Sequence, residues 1–394
     1  MTFRFLVRSL LLILALGPVL AAPVVPASDS DVVEHLPARL IGVPRLLRDV
    51  IGSANGSRAV ARTDPAAAAA RSRALLDEAR DRGDPRYAGY ALAAIAPWRN
   101  DPGAPSAIAI LFATLAQYQH DFDGSRRMLE AVLAREPGNP QATLMLATIA
   151  RVQGRYADSD QRCREVIVRI YQAACLAENM ALRGEVDQGR KVVVGLLALP
   201  EVRAPSLRQW LTTTLAELEE RAGNDEAADS AYRAALALGR DSYLSLDYVD
   251  FLIAHRRYGE AEALLVKEPQ PYGDGVLLRL AIVQKDAKAA TAAKLAAELR
   301  ERFDAAKERG DAISIHGREL ARSMAEVNGD AKGAVVVARD NLRIQKEPAD
   351  FLVMALAARA AGDRGALREV DAQARAIGLV DRRLRDIVGG DATR

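Results

Sequence analysis

The 394-residue chain is poor in most of the residues that carry chemistry: it has 2 cysteines and 4 histidines, and only 5% of its residues are aromatic. The histidines, His35, His120, His255 and His316, lie far apart, and none sits at a spacing that builds a zinc site. No acidic loop reads as a calcium site, no glycine-rich loop reads as a phosphate cradle, and no nucleophile elbow is present. Carboxylates such as Glu217, Glu219 and Glu220 recur at helical spacing, where a solvated face is the ordinary reading rather than a catalytic pair. The expectation is a protein without catalysis, cofactor or metal.

An excess of one charge is missing too. Lys and Arg number 54 against 52 Asp and Glu, a formal +2. Arg4 and Arg8 supply that excess from a leading segment expected to be removed, and no basic face is evident, so neither nucleic acid nor an anionic membrane is an expected partner. Long apolar runs are confined to the beginning. There "MTFRFLVRSLLLILALGPVLAAPVV" has the basic start, the apolar run from Leu10 to Leu16 and the small-residue exit of a secretory signal. Gly17 and Pro18 break the helix just ahead of Val19, Leu20 and Ala21, and cleavage is expected after Ala21, giving residues 1–21 as the signal. The run is short for about 30 Å of hydrocarbon, and no later one is long enough to cross a bilayer. The protein is therefore expected to be exported, periplasmic or secreted, with no stable membrane insertion after cleavage.

What is present is apolar but small. Half of the residues are hydrophobic, alanine is abundant, and close helix packing suits that mixture better than a β-rich core. Between Ser106 and Arg169 the chain repeats itself with a period of thirty-four residues: Phe122 falls on Tyr156, Leu129 on Cys163, Val132 on Val166 and Ala113 on Ala147. Each copy reads as helix, tight turn, helix. Turns of the same kind are expected at Gly83, His120, Gly154, Gly184, Gly223, Arg256, Lys285, Gly329 and Gly362, because a chain leaving a helix with φ above zero favours glycine. Seven residues before the turn stand Ala113, Ala147, Ala177, Ala216 and Ala355, with Val249 as a variant, small enough for helices to approach closely. Nine residues after it stand Leu92, Leu129, Cys163, Val193, Tyr232 and Leu265, expected to fill the space between hairpins. A single hairpin cannot bury both faces, so neighbours must stack.

In "GNDEAADSAYRAALAL", in "RRYGEAEALL" and in the turns around His120 to Ser125 and Gly154 to Ser159, the chain resembles the tetratricopeptide repeat (TPR) family. Within that family it is similar to exported proteins of proteobacteria whose first unit reads much like "GDPRYAGYALAAIAPW" here. The resemblance covers about Asp64 to Asp381. It implies an all-α, right-handed superhelical solenoid of seven to nine antiparallel hairpins over residues 65–381, after an irregular arm at 22–64 and before a tail at 382–394. It departs from the family where Ala109 and Thr143 replace an early aromatic, and where the seventh unit carries an extended second helix, roughly Ala287 to Arg309.

On the inner, concave face that the resemblance implies, thirteen residues before the turn, four consecutive units carry Tyr171, Trp210, Tyr243 and Tyr272, followed by His316. Further along the same face come Glu178, Glu217 and Asp250, with Arg279 in the fourth unit. One reading is a groove with an aromatic and an acidic rail, suited to an extended protein or peptide partner. The other is that these aromatics pack on the preceding hairpin as hydrophobic staples. The paired lysines and asparagines that related domains use to hold chaperone tails are replaced by Gln141, Thr148 and Thr213, so that partner class is not expected. A scaffold that binds along its concave face is the first functional expectation; a structural subunit that assembles with itself or with an envelope complex through its ends or convex side is the alternative. Cys163 and Cys175 fall at similar heights on adjacent antiparallel helices, and a structural disulfide is expected over two separate buried thiols.

Overall fold

Local chemistry starts and stops the helices. Asp64, Asp121, Asn139, Asp241 and Asp363 accept hydrogen bonds from backbone N–H groups of the helix turn that follows, satisfying donors with no partner inside the helix. At the other end the chain leaves through a left-handed residue. Positive φ is found at Gly83, His120, Gly154, Gly184, Gly223, Arg256, Gly329 and Gly362, eight of the nine expected turns. Lys285 is the exception: it is right-handed at φ −51°, and the following helix begins only at Ala289, so the seventh hairpin is joined by a longer connection that needs no left-handed residue.

The computed structural model describes residues 64–285, 287–309 and 312–390. The expected signal at 1–21 and nearly all of the expected arm at 22–64 lie outside them. Among the described residues there is no strand, and nine helix hairpins follow one another: α1 (Pro65–Arg82) with α2 (Pro85–Ile95), α3 (Ser106–Tyr118) with α4 (Phe122–Arg135), α5 (Pro140–Val152) with α6 (Tyr156–Glu165), α7 (Arg169–Leu182) with α8 (Val186–Leu197), α9 (Pro205–Ala222) with α10 (Asp225–Leu238), α11 (Ser242–Ala254) with α12 (Tyr258–Leu265), α13 (Asp274–Gln284) with α14 (Ala289–Arg309), α15 (Ala312–Arg322) with α16 (Ala331–Ile344), and α17 (Pro348–Ala360) with α18 (Arg364–Ala376). The chain is an all-α solenoid. A last helix, α19 (Arg382–Gly389), occupies the stretch expected to be a tail; Asp381 caps it and Leu384 buries against the ninth hairpin, so the array continues past Asp381.

The small-residue positions have the packing their size permits. Ala113, Ala147, Ala177, Ala216, Val249 and Ala355 are all fully buried. Leu129, Cys163, Val193, Tyr232 and Leu265 fill the space on the other side, as the spacing predicts. Leu92 does not: it is half-buried, and Ala91 and Trp98 take the buried positions in the first hairpin. Cys163 and Cys175 are joined, with Sγ atoms 2.01 Å and Cα atoms 5.7 Å apart, linking α6 to α7.

The solenoid winds back on itself. At three places the chain just ahead of a hairpin, or of α19, rests on the turn of the hairpin six places earlier. A Cβ at Gly83, in the first turn, would lie 3.1 Å from Gly273 Cα at the start of the seventh hairpin. In the third, a Cβ at Gly154 would meet Lys346 and Ile377, and the Lys346 N–H donates to the Val152 carbonyl at 2.6 Å. In the fourth, Gly184 meets Val380, whose N–H donates to the Leu182 carbonyl at 2.8 Å. Two layers of coil thus touch through backbone, and glycine is required both for φ and for room.

Two expectations follow. Arg256 holds φ +57° on an exposed turn with a Cβ that this region disfavours, so Arg256→Gly should stabilise the protein by about 1 kcal/mol in chemical denaturation. Opening the Cys163–Cys175 bridge, which closes a loop of sequence separation 12, should cost roughly 3 kcal/mol in the chain-entropy account, measured as the difference between oxidised protein and a Cys163→Ala/Cys175→Ala variant.

Candidate functional site

The residues singled out from sequence lie on the first helices of successive hairpins or just before them. Tyr171 on α7 and Trp210 on α9 come together, with ring centroids 5.7 Å apart and planes tilted by 45°. Tyr243 on α11 is 66% exposed, and its hydroxyl donates to Glu217 Oε1 at 2.7 Å, tying the sixth hairpin to the fifth. Tyr272 stands two residues ahead of α13 and packs against the apolar clusters of the sixth and seventh hairpins; its carbonyl accepts from Arg302 Nη1 at 2.9 Å. Its surroundings are those of a staple. His316 is buried, edge-on to Phe303 at 5.9 Å, with Nδ1 3.2 Å from Asp274 Oδ2. The aromatic series therefore divides into a tilted pair, one exposed ring and two packed ones.

The carboxylates of the same face are matched from within. Glu178 is ion-paired with Arg151 of the preceding hairpin. Asp250 accepts from Arg279 Nε at 2.9 Å and from Arg322 Nη1 at 2.8 Å; burial works against its charge, but the two guanidinium groups hold its pKa below the usual value. Glu217 differs. Its nearest cation is Arg221 Nη1 at 3.7 Å, and the Arg221 Nε is buried without an acceptor. Burial pushes the Glu217 pKa up, and the neighbouring Glu178 adds to that. Across the coil, burial works against the charge of Glu347 ahead of α17, but Arg318 holds its pKa below the usual value, with His120 and Arg151 of the second and third hairpins acting the same way. The inner face is a polar lining in which groups distant in sequence feel one another.

No protein-family model matches the chain, and no curated protein sequence matches it. Among solved structures it is similar to a chain of the Cut9–Hcn1 hetero-tetramer of the APC/C, at 13% identity and a TM-score of 0.49, covering 83% of this chain and 63% of that one. It is also similar to human IFIT1 in dimers with PPP-AAAA and with m7Gppp-AAAA, both at 13% identity, with TM-scores of 0.45 and 0.46, covering 84% of this chain and 76% and 75% of those. The chain thus spans less than two-thirds of the Cut9–Hcn1 chain it matches. Scores this low carry no argument about function.

Sequence reasoning missed one cluster. Glu219 and Glu220, expected on a solvated face, are both buried, because α9 is covered on that side by its own partner helix and by the end of the chain. Burial opposes the charge of Glu219, but Arg190 and Asn224 hold its pKa low. Glu220 pairs with Arg383 of α19 at 2.6 Å and accepts from the Tyr232 hydroxyl at 2.8 Å. The same hydroxyl oxygen lies 2.6 Å from Asp247 Oδ2. A phenol has one proton to donate. The Tyr232 hydroxyl can therefore donate to only one of the two carboxylates at a time, and a proton on Asp247 would satisfy the second contact. Burial, then Glu217 and Glu220, push the Asp247 pKa well up, in the same direction. Only the fold brings these groups together; each alone looks like an ordinary surface charge or core ring.

The sign of the resulting pH effect is fixed. A carboxyl whose folded pKa exceeds its unfolded value of about 3.9 leaves the native chain holding more protons over the interval between the two, so its contribution to stability falls as pH rises through that interval. Asp247→Asn keeps the neutral donor and cannot ionise. Its melting temperature should rise relative to the parent protein between about pH 5 and pH 8, and a difference that is constant or shrinks over that range would contradict the assignment.

Proposed function

We propose that this protein is an exported TPR-like scaffold that binds a protein or peptide along the inner face of its coil and does no chemistry itself. The observation that carries the reading is the tilted Tyr171–Trp210 pair followed, one hairpin on, by Tyr243 with 66% of its surface exposed, all at one phase of the repeat. Aromatic rings that stay accessible on a rigid concave support are the usual energetic centres of interfaces. Export is supported by the sequence around Arg4, Arg8 and Leu10 to Leu16, and by the Cys163–Cys175 bridge, which belongs to an oxidising compartment. Because Glu178 and Asp250 already have arginine partners, recognition on this reading rests on shape and aromatic contact more than on an open acidic rail.

Trp210 is half-buried and packs against the apolar cluster of the fourth and fifth hairpins, so its truncation should also lower the melting temperature. With a partner captured from an envelope extract by the parent protein, Trp210→Ala should weaken binding by about 2 kcal/mol or more per folded molecule, measured below the onset of its unfolding. Unchanged affinity per folded molecule would remove the inner face as the binding site.

A further inference from the structure

The contact between successive layers of the coil has a repeating form. The residue two places before a hairpin donates its N–H to the carbonyl two places before a turn glycine six hairpins earlier: Lys346 to Val152 at 2.6 Å, and Val380 to Leu182 at 2.8 Å. Each time the turn glycine, Gly154 or Gly184, lies against the overlying side chain. The turn glycines of the eighth and ninth hairpins, Gly329 and Gly362, stand at the same phase with positive φ and have nothing within 4 Å of where a Cβ would be. Between them is an open notch of about 230 Å³ lined by Ala325, Glu326, Leu356, Arg359 and Ala360. On the opposite edge of the coil, Ile167 stands two residues ahead of α7, the position Val380 holds ahead of α19, yet it is 67% exposed, with Val168 beside it 37% exposed.

We propose that the notch and the Ile167 edge are two halves of one interface, and that the partner is a second copy of this chain stacked head to tail so that the coil continues. The register is determined by the intramolecular contact. α19 takes the tenth place in the array, a following copy would begin at the eleventh, and its fourth hairpin would take the fourteenth, six beyond the eighth. Ile167 of that copy then lies on Gly329 as Val380 lies on Gly184, its side chain entering the notch and its N–H donating to the Val327 carbonyl. The two faces differ, so the contact does not close on itself and further copies can add. The inner face of the coil takes no part in it, so this inference stands apart from the binding role proposed above.

Sedimentation velocity of the full oxidised chain tests it. The parent protein should form dimers and longer species that increase with concentration. Ile167→Gly removes the side chain that would enter the notch, and Ala360→Arg fills the notch; each changes an exposed residue and should weaken association by about tenfold or more, leaving monomer. Mixed one to one, the two variants each keep one intact edge and should give dimers and nothing longer. A parent protein that is monomeric at every concentration, a dimer that survives in both single variants, or a mixture that stays monomeric would each overturn the proposal. Unchanged helical circular dichroism in both variants ties the result to the edges and not to unfolding.

Discussion

The structure depends on how closely backbone can approach backbone at the hairpin turns. A turn residue with positive φ ends the first helix of most hairpins, and at Gly83, Gly154 and Gly184 that same residue is where a later part of the chain comes down on the coil. The two demands coincide because the missing Cβ serves both. A side chain at Gly83 would strain the turn and also push against Gly273, whose own Cβ position lies 2.4 Å from the Arg82 carbonyl oxygen. Repeat arrays usually derive their stability from neighbours in sequence order. Here hairpins six apart also touch, so the array is tied along two directions.

Contacts between neighbouring hairpins set the charge of the inner face. Arginines one or two hairpins away reach its carboxylates: Arg151 for Glu178, Arg279 and Arg322 for Asp250. Charged groups in such a lining must be hydrogen-bonded or give up their charge. Both tendencies occur side by side: burial works against the charge of Asp250 but two guanidinium groups hold its pKa down, while burial together with Glu217 and Glu220 pushes that of Asp247 up. The surface left for a partner is the aromatic one, the Tyr171–Trp210 pair and the Tyr243 ring.

The end of the chain has a specific place in this arrangement. α19 carries Arg383, which pairs with Glu220 of α9, and Val380 just ahead of it rests on Gly184. The last helix therefore holds the fourth and fifth hairpins in place from above, while the turns of the eighth and ninth have nothing over them. The turn edge of the coil is thus covered over its fourth and fifth hairpins and open over its eighth and ninth. The binding role proposed for the inner face and the stacking proposed for the edges use different surfaces and can operate together.

The sequence by itself determined the hairpins. The thirty-four-residue spacing, the alanines at 113, 147, 177, 216 and 355 and the left-handed turn positions are local rules of size and φ, legible wherever they repeat. It also placed Cys163 and Cys175 on facing helices, since the distance along two short helices follows from residue count alone. What only the tertiary structure decided is how the hairpins lie six apart. The rotation from one hairpin to the next is small, set by the packing of many side chains, and its sum over several hairpins decides whether Glu220 meets Arg383 or solvent and whether Val380 comes to rest on Gly184. No local pattern in the chain encodes such a sum, because each pair of hairpins contributes only a fraction of it.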